Sequence, residues 1–152
     1  MKRLLCAFLT AGYCALGMAS EPVSVAADGV TAIEGKDTTA YHRSPAPAHP
    51  GAERGSAQWV VEYKGAQWRF ASKQSSEQFA ADPARYAPSY NGHCANALSL
   101  GEGLIPTDGT HWEIFGDKLY LFYAARGRTR WVNGDWTTYK KQADTAWAAL
   151  SK

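Results

Sequence analysis

The sequence has few side chains that bind soft metal ions or carry redox chemistry. Its 152 residues include 3 cysteines, 4 histidines and 2 methionines. No cysteines or histidines stand at the spacing of a zinc motif, and there is no C-x-x-C pair. The G-x-S-x-G, P-loop and G-x-G-x-x-G motifs are also absent. The sequence therefore gives no signal for a dithiol oxidoreductase, a serine hydrolase, a P-loop enzyme or a dinucleotide-binding enzyme.

The sequence also lacks a large excess of positive or negative charge. The chain has 16 Lys and Arg against 14 Asp and Glu, so its formal net charge is +2 with neutral histidines. Because these cations are scattered along the chain, we expect no nucleic-acid partner. The hydrophobic fraction of 45% and the charged fraction of 20% are typical of a folded globule, and the length corresponds to one domain.

The N-terminus has the anatomy of a secretory signal. A short basic region, Lys2-Arg3, precedes the mostly apolar residues 4–16, and Gly17-Met18-Ala19 offers small residues to a signal peptidase. The apolar stretch is too short to span a bilayer, and a buried first helix is the alternative. We predict a signal peptide over residues 1–19 and a mature domain over residues 20–152. The mature protein is then periplasmic or secreted and has no membrane span.

Aromatic and β-branched segments predict two β-hairpins. The turns between their strands are expected at Lys64-Gly65 and at Gly116-Asp117. Three of the seven prolines lie within residues 45–50, so residues 44–51 are expected to form an exposed loop. The predicted strands are residues 58–63, 67–70, 112–115 and 119–123.

Helical patterns follow each hairpin. Ser72 is a predicted cap for a short helix that is interrupted at Asp82-Pro83, and a second short helix is predicted from Cys94 to Leu100. Aromatic residues from Trp131 onward have helical spacing and end near Leu150, with a split near Asn133-Gly134. The predicted fold is α+β: two β-hairpins with short helices and a C-terminal helical segment in a single compact domain.

Cys94 is the thiol that remains after the predicted cleavage, because Cys6 and Cys14 lie in the signal segment. Gly92 allows a tight bend before the predicted helix. A cysteine in a first helical turn faces unpaired backbone N–H groups, which favour the thiolate that binds metals and attacks electrophiles. The alternative is that Cys94 is a small buried apolar residue. An intramolecular disulfide or a two-cysteine site within one mature chain is excluded.

The histidines are candidate nitrogen ligands. His93 is next to Cys94, but neighbours on a helix point about 100° apart and need not share a ligand. His42 and His111 can approach Cys94 only through the fold, and His49 is expected to be solvated in the Pro-rich loop. The spacing of the cysteine and histidines in the sequence is by itself only weak evidence for a metal site.

Five sequence blocks occur in a distinctive order along the chain. They are Asp37-Thr38-Thr39-Ala40-Tyr41, Trp68-Arg69-Phe70-Ala71-Ser72, Gln78-Phe79, Asp82-Pro83-Ala84-Arg85-Tyr86-Ala87-Pro88 and Asn91-Gly92-His93-Cys94-Ala95. In this order they resemble the YHS domain family, in its small exported type, and the resemblance covers about residues 30 to 150. The chain departs from the family pattern at Thr38-Thr39, where Pro-Val is usual, at His42, where an aromatic is common, and at His93, where Tyr is usual.

The resemblance implies a metal-binding domain, with copper the expected metal and zinc an alternative. Related domains often carry two cysteines, whereas this chain keeps Cys94 alone. We therefore expect Cys94 to bind the metal, with His93, His42 or His111, or a second protomer's Cys94, completing the site. The alternative is a non-enzymatic interaction or structural module with a buried cysteine and a protein partner. A thiol-dependent enzyme is less favoured, because no resolving cysteine or base partner is evident.

Overall fold

Two antiparallel β-hairpins and several α-helices make up the part of the chain that the computed structural model describes, residues 20–43 and 53–152. In the first hairpin, β1 (Ser56–Tyr63) pairs with β2 (Ala66–Phe70). In the second, β3 (His111–Phe115) pairs with β4 (Lys118–Phe122). The predicted α+β class is confirmed. The predicted signal peptide, residues 1–19, and the predicted loop, residues 44–51, lie outside the described residues.

Both hairpins turn through two residues of positive φ. The values are 51° for Lys64 and 75° for Gly65 in the first turn, and 54° for Gly116 and 65° for Asp117 in the second. Two central residues of positive φ match the right-handed twist of the flanking strands. The predicted turn positions are therefore confirmed.

Three of the described helices begin at a residue whose side-chain oxygen caps them. Ser72 and Ser75 form a reciprocal capping box at the start of α1, and Asp82 accepts the Arg85 N–H at the start of α2. Asp135 caps the C-terminal helix through the N–H groups of Thr137 and Thr138. The described helices are α1 (Lys73–Ala81), α2 (Pro83–Tyr86), α3 (Ala95–Ser99), α4 (Ala125–Asn133) and α5 (Trp136–Leu150).

Two helical regions differ in their bounds from the prediction. The helix predicted from Cys94 to Leu100 is shorter, because Cys94 has extended backbone (ψ 112°) and precedes the first helical residue. The C-terminal helical region begins earlier than Trp131, since α4 starts at Ala125 directly after β4. The predicted interruptions at Asp82-Pro83 and Asn133-Gly134 are both present.

Aromatic rings fill two adjoining parts of the core. In the first, Trp68 of β2 is 1% exposed and stacks on Phe79 of α1, with ring centroids 5.2 Å apart. In the second, Trp131 of α4 is fully buried and lies 5.5 Å from the ring of Tyr120 on β4. These contacts attach a helix to each hairpin.

Two left-handed turns pack against each other between these parts of the core. Ile33–Gly35 and Tyr90–Gly92 both have positive φ at three successive residues. Positive φ is rare for bulky residues such as Ile33 and Tyr90, so the surrounding contacts must hold these turns in place. The Ile33 N–H donates to the Ser24 carbonyl, and the Ser24 N–H donates to the Asn91 carbonyl. The N-terminal residues of the described chain thus join the two turns.

No helix among residues 20–43 and 53–152 is long and apolar enough to cross a membrane.

Candidate functional site

Cys94 is buried between the start of α3 and the end of β4. Its side chain is 4% exposed, and its Sγ accepts the N–H of Ala97 at 3.4 Å and that of Tyr123 at 3.3 Å. The Cys94 N–H donates to the Ile105 carbonyl at 2.8 Å. The sulfur is therefore held by two backbone donors from elements that are far apart in sequence.

A cavity of about 340 Å³ lies beside this sulfur. Tyr123, which is 67% exposed, stands at its rim, and the exposed charged residues Glu102 and Arg126 also line it. The volume is at the lower end of the range for small-molecule sites. The lining residues are Cys94, Asn96, Ala97, Glu102, Ile105, Tyr123, Ala124, Arg126 and Gly127.

The turn before Cys94 fixes where the sulfur lies. Gly92 has φ 87°, and a Cβ at this position would overlap the Ile33 Cδ1 atom. Its carbonyl accepts the Thr107 hydroxyl at 2.7 Å, and the Ser24 hydroxyl accepts the Thr107 N–H at 3.0 Å. Only a residue without a side chain fits here without displacing Ile33. The sequence that leads into Cys94 is therefore constrained by Ile33 upstream and by Thr107 downstream.

His93 does not share the cavity with Cys94. Its ring packs against Trp147 of α5 at a centroid distance of 5.9 Å, and Nδ1 lies 3.0 Å from the Tyr90 carbonyl. Burial lowers the pKa of this imidazole, which is 5% exposed, and so favours its neutral form. His93 and Cys94 both have extended backbone, with ψ of 153° and 112°. This backbone is close to the polyproline II conformation, which has three residues per turn, so successive side chains point roughly 120° apart, and this separates the two.

The other two predicted ligands, His42 and His111, do not line the cavity beside Cys94 either. His42 ends the short turn Ala40–His42 and lines a different cavity, with its ring edge-on to Tyr86 at 5.3 Å. Burial, and secondly the nearby cations Arg85 and Lys118, lower its pKa. His111 begins β3 and pairs with Phe122. His49 lies outside the described residues.

The described residues do not assemble a complete metal site. Over residues 20–43 and 53–152, no three His, Cys, Asp or Glu side chains are grouped so that they could hold a metal ion. The cavity beside Cys94 is lined by none of the three predicted imidazole ligands. In this arrangement Cys94 supplies one thiolate ligand of an incomplete site, and none of the three predicted imidazoles stands beside it.

No family model, curated protein or solved structure matches this chain. The chemistry of the Cys94 site therefore has to be argued from its own geometry.

Sequence reasoning missed the residues that complete the surroundings of Cys94. The Tyr123 N–H that donates to Sγ is a backbone group 29 positions from Cys94 in the sequence, and the identity of the Tyr123 side chain does not predict this contact. Gly127 is a detectable signal, because a glycine inside a helix often marks close packing. A Cβ at Gly127 would lie 3.0 Å from the Asn96 Cβ, so α4 approaches α3 closely at the cavity wall.

Proposed function

We propose that the mature chain is an exported, YHS-like domain that binds one soft metal ion, copper as Cu(I), through Cys94. The observation that carries the proposal is the position of Sγ on the wall of a 340 Å³ cavity, where it accepts two backbone N–H groups. Thiolate is a ligand preferred by Cu(I), with Zn(II) as the alternative metal. Hydrogen bonds to a ligating sulfur are a common means by which proteins tune a metal–thiolate site.

One thiolate is an incomplete site, so the proposal includes a ligand from outside the chain. A complete single-chain centre does not fit the described residues, whereas a single sulfur ligand does. The second ligand is Cys94 of another protomer or a donor from a protein partner. The described side chains of His93, His42 and His111 do not line this cavity. Their role as metal ligands stays a prediction. The domain is not proposed to be an enzyme.

A second candidate is a non-enzymatic module in which Cys94 has a structural role. The observation that favours it is the same pair of N–H···S contacts, since Sγ joins the first turn of α3 to the residue after β4. A sulfur that caps a helix and links a strand needs no metal. Under this alternative, the cavity or another surface binds a partner, and loss of the sulfur weakens the fold.

A competition titration distinguishes the two candidates. The purified protein, Cys94→Ser, Cys94→Ala and His93→Gln would each compete with a chromophoric chelator for Cu(I) under reducing conditions, and then for Zn(II). If Cys94 is the chain's one ligand, the parent and His93→Gln should bind Cu(I) with equal affinity, because His93 packs on Trp147 away from the cavity. Weaker binding by His93→Gln would instead support the predicted imidazole ligand. Cys94→Ser should lose tight binding, since its hydroxyl can accept the same N–H groups but is not a soft donor.

The opposite results are equally informative. Equal Cu(I) affinity in the parent and in Cys94→Ser would overturn the thiolate site. No tight binding by the parent, together with a loss of stability in Cys94→Ala and its recovery in Cys94→Ser, would establish the structural role instead. That loss would be about 1–3 kcal/mol, the cost of leaving buried N–H groups without an acceptor.

A further inference from the structure

A second cavity, of about 550 Å³, lies where the turn Ala40–His42, helix α2 and the β3–β4 hairpin meet. It shares no lining residue with the cavity beside Cys94. Its volume is in the ordinary range of sites for small ligands. What it could bind depends on the charged and polar groups that line it, and these are independent of any metal at Cys94.

Two cations that lack carboxylate partners line this cavity. Arg85 of α2 forms no ion pair with a carboxylate of the described residues, and its guanidinium lies 5.6 Å from the ring centroid of Tyr86. The Lys118 Nζ donates to the neutral carbonyl of Ala84 at 3.1 Å. Since neither positive charge is neutralised by a bonded carboxylate of the described chain, both are available to an incoming anion.

His42 adds a polar group without a partner. Its Nε2 atom is buried and has no hydrogen-bond partner among the described residues. Buried polar atoms are nearly always hydrogen-bonded, so an isolated ring nitrogen beside a cavity points to a missing partner. Burial, and secondly the cations Arg85 and Lys118, lower the pKa of this imidazole and so favour its neutral form, which has one N–H. In the tautomer with that proton on Nε2, the unpartnered atom is a donor.

Two carboxylates also line the cavity and limit which ligand would fit. Asp82 is engaged by the backbone, because its Oδ1 accepts the Arg85 N–H at 3.2 Å at the start of α2. Asp117 lies in the β3–β4 turn, and its carboxylate accepts no hydrogen bond from the described residues. A small anion is therefore attracted by Arg85 and Lys118 and repelled by Asp82 and Asp117.

We propose that this cavity binds a small oxyanion, a carboxylate or phosphate group, on the side chains of Arg85 and Lys118, with His42 as a further donor. The planar fork of a guanidinium matches two oxygens of either group, and the Lys118 ammonium adds a point charge. The buried imidazole then gains the acceptor that it lacks. The remaining volume accommodates the rest of a small organic anion.

Titration with inorganic phosphate and with acetate tests the site and distinguishes the two sources of the oxyanion. Ionic strength would be held constant with sodium chloride, and binding followed through the NMR shifts of the backbone N–H groups of His42, Arg85 and Asp117. We expect saturable shifts with at least one anion. Arg85→Gln, at an exposed position, should weaken affinity about tenfold, the loss of a charge-assisted hydrogen bond. Arg54→Gln, another exposed arginine that does not line the cavity, is the matched control and should have no effect.

We expect Asp117→Asn to strengthen anion binding, because it removes a negative charge from the cavity lining. A variant that fails to fold could not give this result. Absence of saturable shifts with both anions would overturn the proposal. Equal affinities in the parent and Arg85→Gln, or an equal loss in Arg54→Gln, would also overturn it. Affinity unchanged by Asp117→Asn would place the anion elsewhere on the molecule and so contradict the assignment.

Discussion

Replacement of Gly92 by alanine should destabilise the protein through two separable effects. The first is the backbone, since Gly92 has φ 87° and the left-handed region costs an L-residue roughly 1–2 kcal/mol. The second is space, since the new Cβ would overlap Ile33 Cδ1 and lie 3.4 Å from the Ser24 Cβ. Forcing a methyl group into a packed site costs about 1–3 kcal/mol. The expected total loss is about 2–5 kcal/mol.

Gly101→Ala is the matched control because Gly101 has φ 73° but no atom within 4 Å of an added Cβ. It should show the backbone cost alone, roughly 1–2 kcal/mol. The assay is the free energy of unfolding in urea, followed by tryptophan fluorescence and far-UV circular dichroism. Equal losses in the two variants would refute the close packing of Gly92 on Ile33. A loss below about 1 kcal/mol in Gly92→Ala would refute the left-handed turn itself.

Two further predictions concern the core. Trp68→Ala should lower the free energy of unfolding in urea by about 3–5 kcal/mol, because Trp68 is 1% exposed and stacks on Phe79. Trp59→Ala in the same hairpin should lower it by less, because Trp59 is only partly buried. The stability of the parent should fall as pH drops below the ordinary imidazole value of 6.5, since burial lowers the pKa of His93 and the unfolded chain then binds more protons than the folded one. The free energy of unfolding from pH 7.5 to 5 should vary less in His93→Gln, and an identical pH dependence in both proteins would contradict this account.

Local sequence chemistry was enough to predict the hairpins and most helix ends. Lys64-Gly65 and Gly116-Asp117 tolerate positive φ, and Ser72 and Asp82 supply the side-chain oxygens that begin α1 and α2. These signals act over a few residues, so they can be detected in one sequence.

The surroundings of Cys94 could not be predicted in the same way. The predicted first-turn position was close, but extended backbone at His93 and Cys94 directs the two side chains apart. The turn before them is packed against Ile33, which is distant in sequence. The second donor to Sγ, the Tyr123 N–H, depends on how β4 docks against α3. Contacts between distant residues of this kind leave no local pattern, so the position of the cavity had to come from the fold.

The two N–H···S contacts make the sulfur observable through the backbone. Any reaction at Sγ, whether metal ligation, alkylation or oxidation, changes the acceptor that the amide protons of Ala97 and Tyr123 share. These amides belong to α3 and to the residue after β4, so their chemical shifts and exchange rates sense the same atom from two sides. A single ¹⁵N-labelled sample thus contains a pair of internal reporters for the chemical state of Cys94, without a label on the thiol.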